Sequence, residues 1–193
     1  MRKPILNKYP VNILIEQRWS PRAFDEKPID KERVNSMLEA ARWAPSAFNE
    51  QPWRFVVGLK GDETYKKILG SLVEWNQKWA GKAPMLVVNL AKKTFTLNGK
   101  QNVMFKYDLG QAVAFMSLEA MNHGIYAHQM SGFDPVKAAA ELHIPDDYQA
   151  ASVTAFGYYG NAEDLPEDMY KSEIEQRERR PLNETVFFGD FGE

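Results

Sequence analysis

The sequence predicts a sheet covered by helices, and three observations lead there. Short apolar runs of strand length alternate with helical stretches through the middle of the chain, as in a helix-covered sheet. Met85-Leu86-Val87-Val88 is a continuous apolar run, which fits a strand buried on both faces. The stretch from Leu109 to Leu118 carries no charge, and Val113, Ala114, Phe115 and Met116 leave it little polar face. A helix apolar nearly all round is buried on most sides, either at the centre of the molecule or at an oligomer interface.

The elements follow in order. Val11 to Gln17 reads as a short helix. Lys31 to Trp43 is a clearer one, with Asp30 as N-cap and Val34, Met37, Leu38 and Ala41 on its apolar face. Ala44-Pro45-Ser46 ends it, because the residue before a proline is pushed out of the helical region. Phe55 to Leu59 reads as a strand, Asp62 to Ala80 as a helix interruptible at Gly70, and Pro84 to Leu90 as a second strand. The long helix spans Asn102 to His123, and Gly124 closes it as a C′ glycine. Ile125 to Met130 is a third strand. Asp134-Pro135 pairs an N-cap with proline at the first helical position, opening a helix to His143. Ser152 to Tyr158 is a fourth strand, Leu165 to Arg177 is polar and partly helical, and Thr185 to Phe188 is β-prone. The stretch 161–193 reads as a partly extended C-terminal arm on a single domain spanning 1–193.

Composition excludes several kinds of chemistry. The 193 residues include no cysteine, which removes thiol nucleophiles, disulfides, cysteine-ligated zinc and iron–sulfur clusters. The formal net charge of −2 leaves no global footprint for nucleic acid. The basic start at Met1-Arg2-Lys3 lacks an apolar segment behind it and makes a poor signal peptide. No apolar stretch approaches a membrane span. These features lead to the expectation of a cytoplasmic protein with neither membrane nor nucleic acid as partner. Gly157 and Gly160 do not make a dinucleotide fingerprint, and there is no phosphate loop or nucleophile elbow. His123, His128 and His143 do not share a helical face, so no metal site is expected.

Three segments carry candidate chemistry. Arg18-Trp19-Ser20-Pro21-Arg22 places two guanidinium groups and a hydroxyl within five residues, either as a solvated basic turn or as a phosphate-holding fork. Arg177, Arg179 and Arg180, interleaved with Glu175 and Glu178, form either an exposed charge run or a second half of that fork. The loop from Ala44 to Trp53 combines small residues, which admit a flat ligand to the backbone, with the amides Asn49 and Gln51.

Arg18-x-Ser20-x-Arg22-x-Phe24, then Ala41-Arg42-x-Ala44-Pro45-Ser46-x-x-Asn49-x-Gln51-Pro52-Trp53, resembles the nitroreductase family of FMN-dependent oxidoreductases. Asn76-Gln77-Lys78-Trp79-Ala80, Gln129-Met130-Ser131-Gly132-Phe133 and Arg177-x-Arg179-Arg180-Pro181-Leu182 resemble later segments of the family, so the likeness runs along nearly the whole chain. Two departures stand out. Ser131 occupies a place where some members have Glu, and Trp79 one where some have Lys.

The resemblance implies an α+β, nitroreductase-like three-layer sandwich: a central, mainly antiparallel sheet flanked by helices, in an intertwined homodimer. It implies FMN as cofactor, NADH or NADPH as electron donor, and a small-molecule acceptor such as a nitroaromatic or quinone, in ping-pong turnover through flavin N5. Cofactor-binding positions carried over are Arg18, Trp19, Ser20 and Arg22 at the phosphate, ribityl chain or flavin edge. Pro45, Ser46 and Asn49 belong to a loop that in the family comes from the other subunit. Asn76 falls near the pyrimidine edge, Ser131 and Gly132 at N5, and Arg177 and Arg179 at the phosphate. The resemblance assigns no side chain to catalysis, because the hard chemistry belongs to the flavin. Enone reduction or dehalogenation on the same fold, and flavin carriage without turnover, are the alternatives it leaves.

Overall fold

The computed structural model describes Lys3 and residues 9–192. The basic start considered above lies, apart from Lys3, outside the described residues.

Among the described residues, four strands form one antiparallel sheet: β1 (Trp53–Leu59), β2 (Met85–Lys92), β3 (Tyr126–Met130) and β4 (Tyr148–Gly157), in the order β1-β2-β4-β3. Seven α-helices lie among the described residues: α1 (Ile13–Gln17), α2 (Lys31–Arg42), α3 (Glu63–Ser71), α4 (Glu74–Ala80), α5 (Phe105–Asn122), α6 (Pro135–Glu141) and α7 (Glu167–Ile174).

The central strand β2 explains the layering. Its side chains alternate between two hydrophobic clusters: Met85, Val87 and Ala91 on one face, Leu86, Val88 and Leu90 on the other. The first cluster adds Met37 from α2 and Leu109, Val113 and Met116 from α5. The second adds Tyr65 and Ile68 from α3, Trp79 from α4 and Met169 from α7. Helix, sheet and helix thus make three layers. A strand with two dry faces favours apolar residues on both, hence the unbroken run Met85–Val88, and the buried Asn89 beyond it donates from Nδ2 to the Ser152 and Thr154 hydroxyls. Each fully buried Val or Leu of that run contributes about 1.5–3 kcal/mol over exposure.

Local signals set the helix ends. The Asp30 carboxylate accepts the Arg33 amide at 2.9 Å and caps α2. Asp134 accepts the amides of Val136 and Lys137 and caps α6, with Pro135 in its first turn. The chain leaves α5 through Gly124 at φ 70°.

The expected helix from Asp62 to Ala80 is instead two helices, and Gly70 lies inside the first. The break falls at Leu72-Val73, where pairing outcompetes helix propensity. Leu72 bridges Phe133, and the Val73 amide donates to Gly132 O at 3.0 Å. β4 begins at Tyr148, four residues before the expected Ser152, because the pairing with β2 continues past an irregularity at Asn89/Leu90. Thr185 to Phe188, read as β-prone, forms no strand and follows a 3-10 turn at Leu182–Glu184. The stretch read as an arm divides. α7 buries Met169 and Glu173 in the body, whereas 178–186 is exposed throughout.

Candidate functional site

The two arginine clusters meet. Arg18 terminates α1, whose last carbonyls point at Arg177. The Arg177 guanidinium donates to Glu16 O at 2.7 Å, to Arg18 O at 2.5 Å and to Lys3 O. It thereby satisfies carbonyls that a helix end leaves without intrahelical partners. One turn earlier on the same segment, the fully buried Glu173 accepts the Arg22 amide on both carboxylate oxygens, at 3.0 and 2.9 Å, and the Ala23 amide at 3.1 Å. Its neighbour Ser172 accepts from the Arg22 guanidinium at 3.2 Å. The C-terminal helix and the residues after it therefore fix the backbone of the Arg18–Arg22 segment.

Charge is crowded there. Burial, then the nearby Arg177 and Arg179, lower the affinity of Arg18 for its proton below the ordinary arginine value. Arg177 is shifted the same way, by burial first and then by Arg179. Three buried donors in this cluster, Trp19 Nε1, Arg22 Nε and Arg177 Nε, lack a hydrogen-bond partner. The arrangement is short of negative charge and of acceptors. Ser20 is exposed, with Arg18 reaching its hydroxyl at 3.5 Å. Trp19 is buried between Tyr126 and Tyr159 with the Lys3 ammonium 4.2 Å from its ring, so it braces the segment from beneath. Arg179 is exposed, and one guanidinium nitrogen donates to Glu178 O at 2.7 Å.

A second group joins α4 to the turn after β3. Asn76 Nδ2 donates to Gly132 O at 3.0 Å, the same carbonyl that takes the Val73 amide. A Cβ at Gly132 would lie 2.7 Å from Asn76 Nδ2 and 3.0 Å from Val73 Cγ2, so any larger residue there would displace the Asn76 amide. Ser131 is exposed beside it. His128 links this group to the first. Its Nδ1 lies 2.8 Å from Pro21 O, and its ring packs 4.4 Å from Trp79 of α4. Burial, the leading cause, pushes the His128 pKa down to about 4, so the neutral ring donates from Nδ1 to the carbonyl.

The third group is the loop between α2 and β1. Phe48, Asn49 and Gln51 all have left-handed backbone, at φ 53°, 54° and 52°. Such conformations cost of order 1–3 kcal/mol each for non-glycine residues and persist only where the surroundings over-determine them. Ser46 Oγ accepts the Gln51 amide at 2.9 Å, and the buried Asp108 of α5 accepts the Ala47 amide at 3.1 Å. Pro45 and Asn49 are exposed. The loop is thus tied to α5, and Glu50 ties it to the segment after β2 by accepting the Thr96 amide at 2.9 Å, whereas none of these contacts runs to the other two groups.

The structure therefore unites Arg18, Trp19, Ser20, Arg22, Arg177 and Arg179 in one cluster, and Asn76, Ser131 and Gly132 in an adjoining one. Pro45, Ser46 and Asn49 stand apart. Sequence reading missed Glu173, His128 and Asp108. Glu173 fell within Leu165 to Arg177, read only as polar and partly helical, and the one available signal was its i,i+4 spacing from the buried Met169. Among the described residues, no group of three or more His, Asp or Glu is placed to hold a metal, and no helix is long and apolar enough to cross a membrane.

Comparison with known proteins defines the class. Residues 15–75 match the model of the nitroreductase family. A solved oxidoreductase containing FMN superposes with a TM-score of 0.92 at 35% identity, covering 96% of this chain and 95% of that one. A nitroreductase family protein from Clostridium difficile 630 superposes with a TM-score of 0.71 at 25% identity, covering 92% and 96%. An uncharacterized 15.4 kDa protein from the ask 5′ region of Mycolicibacterium smegmatis is 31% identical over 150 residues, 72% of this chain and 97% of its own. The chain belongs to the nitroreductase family.

Proposed function

We propose that this chain is an FMN-dependent oxidoreductase that takes electrons from NADH or NADPH and passes them to a small electron acceptor, a nitroaromatic or quinone, in separate half-reactions. The observation that carries the reading is the cationic cradle made by Arg18, Arg22 and Arg179. Arg18 is crowded by like charge, and the one buried donor of the cradle without an acceptor is Arg22 Nε. A phosphate monoester supplies what such a cradle lacks: two negative charges and several acceptor oxygens. That need fits the phosphate of FMN, and the family relative that contains FMN supports it.

Bound FMN would supply the hydride and electron chemistry. The chain's own residues would bind and orient it. Arg18, Arg22 and Arg179 would take the phosphate, with Ser20 as a neutral donor. Arg177 has its amino groups committed to backbone carbonyls, so its part is to hold the α1 end in place and add positive potential. Trp19 braces the same segment from the core side. Asn76 and the Ser131-Gly132 backbone would face the ring system, where fixed donors favour the build-up of negative charge.

Pro45, Ser46 and Asn49 lie on a loop whose contacts point away from this cradle. They complete the site from the partner subunit of a homodimer. The exposed face of α5 suits that partner, because Tyr107, Gly110, Ala114 and Phe115 leave it nearly uncharged. With NADH or NADPH as donor, this reading puts the activity in the cytoplasm.

Anaerobic titration of the FMN-loaded protein with NADH and with NADPH tests the reading. Bleaching of the flavin absorbance by one nucleotide, and its return on adding a quinone or nitroarene in the absence of that nucleotide, is the expected result. A flavin that neither nucleotide bleaches would leave a carrier rather than an enzyme.

A further inference from the structure

We propose that His128 is a positioning residue for the phosphate cradle: by donating to Pro21 O it sets the peptide plane from which Arg22 departs, and so makes the cradle select a phosphorylated flavin. The proposal rests on the FMN reading above and adds what fixes the shape of the cradle.

No helix or strand holds the segment 18–23. Its middle residue, Pro21, is buried and has no amide to donate, so its carbonyl is the one backbone group by which it can be held. Proline also locks φ, which leaves ψ of Pro21 as the soft angle. That angle turns the 21–22 peptide, a rigid plane with Pro21 O on one edge and the Arg22 amide on the other. Both edges are gripped, from different elements. Glu173 of α7 accepts the Arg22 amide at 3.0 and 2.9 Å, and His128 of β3 has Nδ1 2.8 Å from Pro21 O. With both groups taken the plane has one orientation, and the Arg22 side chain leaves it in one direction.

His128 is itself fixed. It pairs with Ala155 across the sheet. Its ring packs 4.4 Å from Trp79 of α4, and Trp79 stacks on Phe24, two residues beyond Arg22, with centroids 6.1 Å apart and planes at 23°. The contacts close a circuit from the segment through β3 and α4 back to the segment. Burial first, and the nearby Arg22 cation with it, keep the imidazole neutral at pH 7. A neutral ring has one N–H, and here it is spent on the cradle. A side chain that only filled space beside Trp79 would need no donor.

The test measures dissociation constants of FMN and of riboflavin on the full-length apoprotein. In His128→Leu, which keeps bulk without a donor, the preference for FMN over riboflavin should fall about tenfold, the effect of one lost hydrogen bond on a buried carbonyl. His128→Asn, which returns an N–H close to the Nδ1 position, should recover most of it. A merely structural role would weaken both ligands alike and leave the preference intact. An unchanged preference in His128→Leu therefore overturns the proposal, as does a fall that His128→Asn does not recover. Nitrogen NMR on the wild type decides the donor without any substitution: the Nδ1–H tautomer of His128 is expected, and the Nε2–H tautomer overturns the proposal even if neither variant folds. A wild type that binds FMN no better than riboflavin would instead remove the phosphate reading on which this one rests.

Discussion

Glu173 is the residue on which most of the cradle's backbone depends. Three contacts from two amides converge on its two oxygens in a fully buried setting. Glu173→Gln would turn one acceptor into a donor facing those amides. Leaving buried amides unpaired costs about 1–3 kcal/mol, so urea denaturation should show a loss of about 2 kcal/mol. FMN retention should weaken with it, because Arg22 moves with its own amide. His128 supplies a pH dependence. Its pKa is lowered to about 4 in the folded chain, against 6.5 for the free side chain. Between those values the unfolded chain binds a proton that the folded one does not. The stabilisation from neutral His128 is therefore complete above pH 6.5 and is lost as pH falls toward 4, by up to about 3 kcal/mol. Denaturation at pH 7 and pH 5 should show a steeper decline in the wild type than in His128→Gln. Equal declines would mean that His128 does not contribute the slope.

At the level of elements, short segments are held by close backbone approach rather than by propensity. The segment after Arg22 pairs with the end of β4, with the Gly160 amide on Ala23 O and the Asp25 amide on Tyr158 O, both at 2.9 Å. A Cβ at Gly160 would lie 2.7 Å from the Phe24 carbonyl carbon, which is backbone and cannot swing aside. Gly160→Ala should destabilise the protein by about 1–3 kcal/mol, the usual range for overpacking, read from urea denaturation. Gly132→Ala differs, because its nearest neighbour is the flexible end of Asn76. It should cost less stability and act on flavin binding instead, seen in an FMN titration.

The same contrast shows what the sequence made legible. Caps and periodicity are local, so α2, α6, β2 and the end of α5 could be read from Asp30, Asp134, the Met85–Val88 run and Gly124. The α3/α4 break could not, since it depends on Phe133 and Gly132, some sixty residues away. Ordered motifs marked the candidate site residues. Their supports Glu173, His128 and Asp108 were hidden, because burial of a polar residue is decided by tertiary contacts.

For the whole molecule, two facts of different kinds meet. One chain assembles the cradle and the Asn76–Gly132 group, while the loop at 45–49 turns elsewhere. On the reading proposed here, a working site takes the cradle from one copy and the loop from another. The charge-free stretch of α5 then does double duty. Leu109, Val113 and Met116 enter the core, and Phe115 remains 42% exposed, which on that reading leaves it to the partner. Phe115→Asp should give a folded monomer in sedimentation that has lost most of its affinity for FMN. A Phe115→Asp dimer that keeps its flavin would place the interface on another surface.

The central claim is that this fold presents a site for FMN, with the Arg18–Arg22 segment as its phosphate cradle. Equilibrium titration of the full-length apoprotein with FMN, with riboflavin and with FMN on the Arg22→Ala variant tests it most directly. The account expects saturation at one FMN per chain, much weaker binding of riboflavin, and a loss of affinity in the variant that narrows the difference between the two ligands. Equal affinity for FMN and riboflavin in the folded wild-type protein, or no binding of either, would contradict it.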